Sequence, residues 1–227
     1  MDVPQIHLPG QAAAAPGPLD MTNMYLAHHG FRRDLGRLIT AVCEVSAGDR
    51  RRITGLRRHL SWVLLVLHHH HTAEDDTVWP VLRERAPEAA EIMDVMEAEH
   101  AAAAEGIARS EQAFDAFAAD PAEPARERLA EALRALAATI GAHLAHEETM
   151  AIPLMQAHIT AAEDARGHDD VRRQYGPRQM FTLVGWLLDG LPAAALDELR
   201  GRSPLGMRAV AALARPAYRR RTAHLWR

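Results

Sequence analysis

The stretch "LHHHHTAEDDTVWP" (residues 67–80) decides the fold once it is set beside "GAHLAHEETMAIP" (residues 141–153). In the first, Glu74 follows His70 by four places and Pro80 by ten. In the second, Glu147 and Pro153 follow His143 at the same spacings, and all three positions are offset by 73. Two further histidines, His28 and His100, lie upstream of the two motifs and are 72 apart. The chain therefore reads as a doubled helix pair, each half supplying one histidine and then a His-xxx-Glu. Four histidines in a row resemble a purification tag, but this run is internal and follows an apolar segment, "LSWVLLVL".

The spacing has a physical meaning. Residues i and i+4 stand one above the other on a helix face, about 5–6 Å apart at Cβ. His70 and Glu74 share an apolar stripe with Val63, Leu67 and Val78; His143 and Glu147 share one with Leu136, Ile140 and Met150. Both pairs thus point into a core, where a carboxylate is costly unless it is paired or bound to metal. His28 sits on the stripe of Met21, Met24 and Leu35 and is preferred over His29, which neighbours Arg32, Arg33 and Gly36. His100 stands among Met93, Met96, Ala103 and Ile107, where a satisfied core histidine is the alternative. Four imidazoles and two carboxylates converging in one interior point to a dinuclear metal site. His71 and Asp75 form a competing i, i+4 pair, but their counterparts are Leu144 and Glu148, so the imidazole is not repeated. His68 and His69 match Gly141 and Ala142, and all three of these histidines read as a helix flank. His158, His168 and His224 read as surface residues.

Around these motifs the chain organises into helices. The periodicity predicts helices over about 20–46, 50–78, 87–118 and 124–158, with Asp20 as first N-cap, breaks at "SAGD" and "ADPAEP", and the second helix ending near Pro80. Nothing reads as an alternating strand. Four long amphipathic helices on short connections predict an all-α, up-down-up-down four-helix bundle over 20–158. Residues 1–19, rich in Pro, Gly and Ala, read as disordered. Residues 159–227 read as a C-terminal helical extension in which "MFTLVGWLLDG" packs on the outside of the bundle. The 227 residues, 48% of them hydrophobic, suffice for one well-buried domain. The net charge of −4 is ordinary. Eight arginines in the last 28 residues read as a solvated helix end, so neither nucleic acid nor membrane is expected as a partner. A single cysteine, Cys43, excludes a thiolate metal site and an internal disulfide and fits a reducing, cytoplasmic setting. The N-terminal stretch lacks the features of a signal peptide, and no apolar run approaches the roughly 20 residues of a membrane span.

The motifs "HHGFRRDL", "HHTAEDDTVWP", "EAEHAAAAEG" and "HLAHEETMAIP" resemble those of the hemerythrin-like, or HHE cation-binding, family, over about residues 20–158. The resemblance implies a four-helix bundle holding two non-heme iron ions with an oxo or hydroxo bridge. Carried over residue by residue, it implies His28, His70, Glu74, His100, His143 and Glu147 as ligands, with Glu74 and Glu147 bridging. Oxygen-carrying members resemble this bundle but have a second histidine one turn along the third helix; the places either side of His100 here are Met96 and Ala104. One iron is then short of a protein ligand, which leaves room for water, peroxide or nitric oxide. Tyr25, one turn before His28, is a candidate for that gap, and Arg32, one turn after it, for holding a bridging carboxylate. Mixed imidazole and carboxylate donors suit iron or manganese. The His-Glu-x-x-His of zinc proteases is absent, and ferritin-like bundles use Glu-x-x-His instead. The expected function is binding or sensing of oxygen, peroxide or nitric oxide. The alternatives are a peroxide-decomposing or nitric-oxide-reducing enzyme, and iron sensing or storage.

Overall fold

The computed structural model describes residues 2–227. Helix α1 (Thr22–Glu44) leads through a short turn to α2 (Arg50–Ala73), whose N-terminus is capped by the Asp49 carboxylate accepting from the Arg52 amide at 2.9 Å. The helical path continues through a π-turn (Glu74–Val78) into α3 (Trp79–Arg85), then a 3₁₀ turn (Pro87–Ala89) into α4 (Ala90–Ala119). Helix α5 (Glu123–His146), with Pro124 in its first turn, runs through a second π-turn (Glu147–Ala151) into α6 (Ile152–His158). The extension contributes α7 (Ala161–Arg173), α8 (Pro177–Leu187), α9 (Ala193–Arg202) and α10 (Leu205–Thr222). The described residues contain no strand. Helices α1, α2, α4 and α5 form the bundle: α4 lies against α5, α5 against α1, α1 against α2 and α2 against α4.

The second helical path differs from the sequence expectation in not ending at Pro80. A proline inside an α-helix lacks an N–H and clashes with the carbonyl four residues back. The π-turn resolves the conflict. The Trp79 amide donates to the Glu74 carbonyl, five residues back, and Pro80 enters as an early residue of α3. The same happens at Ile152, whose amide donates to the Glu147 carbonyl ahead of Pro153. Each proline therefore marks a register change that begins at a carboxylate of the repeat.

Two apolar clusters fill the bundle. One contains Phe31, Leu35, Leu67, Ala103, Ile140 and Leu144. The other contains Met21, Tyr25, Trp79, Met96, Ala151 and Ile152. On each helix the repeat histidines and glutamates fall between members of the first and members of the second, so they form a polar layer across the middle.

The expectation that residues 1–19 are disordered is corrected for 2–19, which are irregular but packed. Ile6, Leu8 and Leu19 are buried in the second cluster. Gln156 on α6 accepts from the Leu19 amide at 2.8 Å and donates to the Leu19 carbonyl at 3.0 Å; Gln5 also donates to that carbonyl. Three apolar residues with satisfied backbone outweigh the Pro/Gly/Ala composition. Helix α1 starts at Thr22, and Asp20 still accepts from its amide at 3.0 Å.

A buried acid docks the extension. Asp34 accepts from the Trp186 indole and from the His59 ring, both at 2.8 Å, from Arg33 at 2.6 Å, and from the Tyr218 hydroxyl at 3.5 Å. Gly30 lets the Trp186 ring approach so closely that a Cβ there would lie 2.5 Å from it. Burial opposes the Asp34 charge, but the His59 hydrogen bond and the Arg33 guanidinium outweigh it and hold the carboxyl well below its usual range.

Candidate metal centre

His28, His70, Glu74, His100, His143 and Glu147 come together in the polar layer. All are buried except His70, which is partly so. Glu147 Oε2 lies 3.1 Å from His28 Nε2 and 3.9 Å from both His70 Nε2 and His143 Nε2. Glu74 reaches His70 Nδ1 at 3.2 Å and His100 Nε2 at 3.5 Å. His28, His70 and Glu147 form one triad with ligand atoms within 4.8 Å of one another, and Glu74, His143 and Glu147 form another. Nε2 of His28, His70, His100 and His143 and both oxygens of Glu74 and Glu147 make no hydrogen bond. Buried polar atoms left in this way are expensive, and so many aimed at one space fit a metal site.

On His28, His100 and His143 the other ring nitrogen is engaged. Glu148 accepts from His28 Nδ1 at 2.8 Å and is itself clamped by Arg32 at 2.7 and 3.1 Å and by the Ala12 amide at 2.6 Å. Asp75 accepts from His100 Nδ1 at 2.7 Å. Glu99 takes His143 Nδ1 at 3.1 Å and His146 Nδ1 at 2.6 Å. A carboxylate on Nδ1 fixes the tautomer and presents Nε2 as a donor to metal. Asp75 and Glu148 each follow a repeat glutamate directly, so the duplicated acid was a readable signal for this role. Arg32, a candidate for holding a bridging carboxylate, holds Glu148.

The layer's charges are uneven. Burial pushes the His70 imidazole down to about 3, with Glu147 opposing and the neighbouring imidazoles assisting. Burial drives His71 and His143 down as well. Burial and then the Glu147 charge raise the Glu74 carboxyl well above its usual range. For Glu147 itself, His28, His70 and His143 overcome burial and hold the carboxyl low. Burial likewise opposes a charge on His28, but Glu147 and Glu148 prevail and raise it. The His70, His71 and His143 imidazoles are thus neutral near pH 7 and able to donate a lone pair.

Among the positions weighed from the sequence, His71 departs from expectation. Ala104 is exposed, whereas Met96 and Ala103 face inward. His71, read from the repeat as a flank, is buried beside His100 and His143. Tyr25 is buried, and burial, opposed by the Ala15 backbone and assisted by Glu148 and Glu147, pushes its pKa up to about 12. His69 instead packs edge-on against Tyr175 at 4.8 Å, and His68 is exposed.

The model of the hemerythrin HHE cation-binding domain matches residues 20–155, more than half of the chain. The chain belongs to the hemerythrin HHE family. This HHE domain is a helical bundle with added C-terminal helices, and its His/Glu clusters have the composition of a cation site. No curated protein and no solved structure matches the chain. No helix among the described residues of the HHE protein is long and apolar enough to cross a membrane.

Proposed function

We propose that the HHE domain holds two non-heme iron ions and uses them to bind or react with dioxygen, peroxide or nitric oxide. The observation that carries this reading is the set of buried imidazole nitrogens and carboxylate oxygens without hydrogen bonds in one layer. His28, His70, Glu74, His100, His143 and Glu147 would hold the metals, with Glu74 and Glu147 between them. Bound iron supplies reversible electron transfer and a coordination position for a small ligand. The chain's own contribution is to fix that chemistry in place. Glu148, Asp75 and Glu99 keep protons on Nδ1 of His28, His100 and His143, so these three rings offer Nε2. The two apolar clusters exclude bulk water on either side.

A cavity of about 1000 Å³ between the bundle and the extension has His70 and Glu74 in its wall, together with Met21, Met24, Tyr175 and Met180. It supplies a route by which a small apolar ligand reaches the layer. Mixed imidazole and carboxylate donors suit iron or manganese.

The test is metal content of untagged protein together with its visible spectrum. About two irons per chain with oxo-bridged ferric absorption in the near ultraviolet supports the proposal. Zinc or no metal, together with failure to load iron anaerobically, overturns it. Gas evolution on adding peroxide to iron-loaded protein separates a peroxide-decomposing enzyme from a binding or sensing protein.

A further inference from the structure

We propose that His71 is a seventh metal ligand, which α2 supplies to the ion on the His100 side of the centre. The inference rests on the two-iron reading above. His70 and His71 are consecutive in α2, and a helix turns by about 100° per residue, so the two rings leave in different directions. His70 turns toward α1, with its ring centroid 5.2 Å from that of His28. His71 turns toward α4 and α5. Its ring stacks on His100 at 4.1 Å with an interplanar angle of 12°, and meets His143 edge-on at 5.0 Å.

The ligand atoms of His71, His100 and His143 all lie within 4.8 Å of one another. Metal–nitrogen bonds of about 2.0–2.1 Å place two nitrogens on one ion no more than roughly 4.2 Å apart, so closing this triad on one metal needs the His71 ring to turn out of its stack on His100. His71 is 7% exposed, and its Nε2 has no hydrogen-bond partner. Asp75, the acid at i+4 that would otherwise engage His71, accepts from His100 instead. The triad shares no imidazole with the His28, His70, Glu147 triad. The two therefore divide the layer into two three-ligand sets, with Glu74 left over and Glu147 of the first set reaching toward His143 of the second.

This assignment supplies from α2 the imidazole that α4 lacks, since the inward neighbours of His100 are Met96 and Ala103. It also makes the two halves of the repeat unequal. Leu144 occupies the matching place on α5 and is buried in an apolar cluster.

The test uses His71→Leu, which copies the residue at the matching place, with His69→Ala as a control in the same run of histidines. Cobalt(II) and iron(II) are titrated into each full-length protein against a competing chelator, and the cobalt visible absorption is recorded. The inference expects the second equivalent of metal to bind His71→Leu about 100-fold more weakly. The absorption of one of the two cobalt ions changes, and His69→Ala matches wild type. Unchanged affinity and spectrum in His71→Leu overturn the assignment and make His71 a packing residue. If wild type takes up no second equivalent, the two-metal reading itself falls and the seventh ligand with it. Should His71→Leu not fold, His71→Gln, which keeps size and polarity, is read in the same way.

Discussion

Glu148 is not in the ligand set, yet one carboxylate holds His28 Nδ1 and takes the Arg32 guanidinium and the Ala12 amide. Removing its charge leaves every proposed ligand in place while freeing the His28 ring to rotate. Glu148→Gln is expected to weaken metal binding by about 10- to 100-fold with the helical circular dichroism spectrum unchanged; chelator competition measures it. The repeat glutamates behave differently. Glu74 has both oxygens buried and without hydrogen bonds, so in metal-free protein it is a cost with no return. Glu74→Leu is expected to abolish metal binding and to raise the metal-free unfolding free energy by about 1–3 kcal/mol in urea. A metal-free protein made less stable by this change would contradict that account. His69, packed on Tyr175 away from the layer, is expected to leave iron occupancy unchanged when replaced by Ala. The six proposed ligands were legible because the two His-xxx-Glu pairs repeat at 73 residues, the histidines upstream of them at 72, and all six fall on apolar stripes. His71 was not, because its matching residue is Leu144 and repetition was the filter. What places His71 is the rotation between neighbouring residues of α2 and the approach of α4 and α5, which a one-dimensional pattern does not contain.

At the scale of the element, the two π-turns are the feature that a helical period hides. Both start at a repeat glutamate and both end just before a proline. Sequence periodicity read α5 through α6 as one helix and stopped the α2 path near Pro80, because a proline signals termination more strongly than register change. A π-turn inserts one residue and shifts the direction of side chains on either side, and such turns occur often at functional sites. Pro80→Ala removes the steric reason for the turn. The expected outcome is unchanged helix content with metal affinity about tenfold weaker, since Glu74 is free to follow an ordinary α-helical direction. Affinity equal to wild type would mean that the metal layer alone enforces the turn. The N-terminal segment makes the complementary point. Its composition reads as disordered, while Ile6, Leu8 and Leu19 find a tertiary partner that composition cannot name.

At the scale of the whole molecule, the extension is joined to the bundle through Asp34, which takes hydrogen bonds from α2, α8 and α10. The folded carboxyl is held well below the usual value near 3.8, so its contribution is fully present above that value and is lost as pH falls through the lower folded one. Trp186 fluorescence in an acid titration is expected to report release of α8 below about pH 4, a transition that Asp34→Asn, with no carboxyl to titrate at this place, lacks. That variant leaves Arg33 buried without its partner and is expected to cost about 3 kcal/mol in urea unfolding. The polar layer lies between the two apolar clusters. Each cluster is a dry, continuous contact surface of its own, so the weakest cross-section of the metal-stripped bundle is its waist and not its ends. Amide hydrogen exchange on chelator-treated protein should therefore quicken first around residues 70–75 and 143–148. Both ends of the same helices should stay protected, like a rod hinged at its middle.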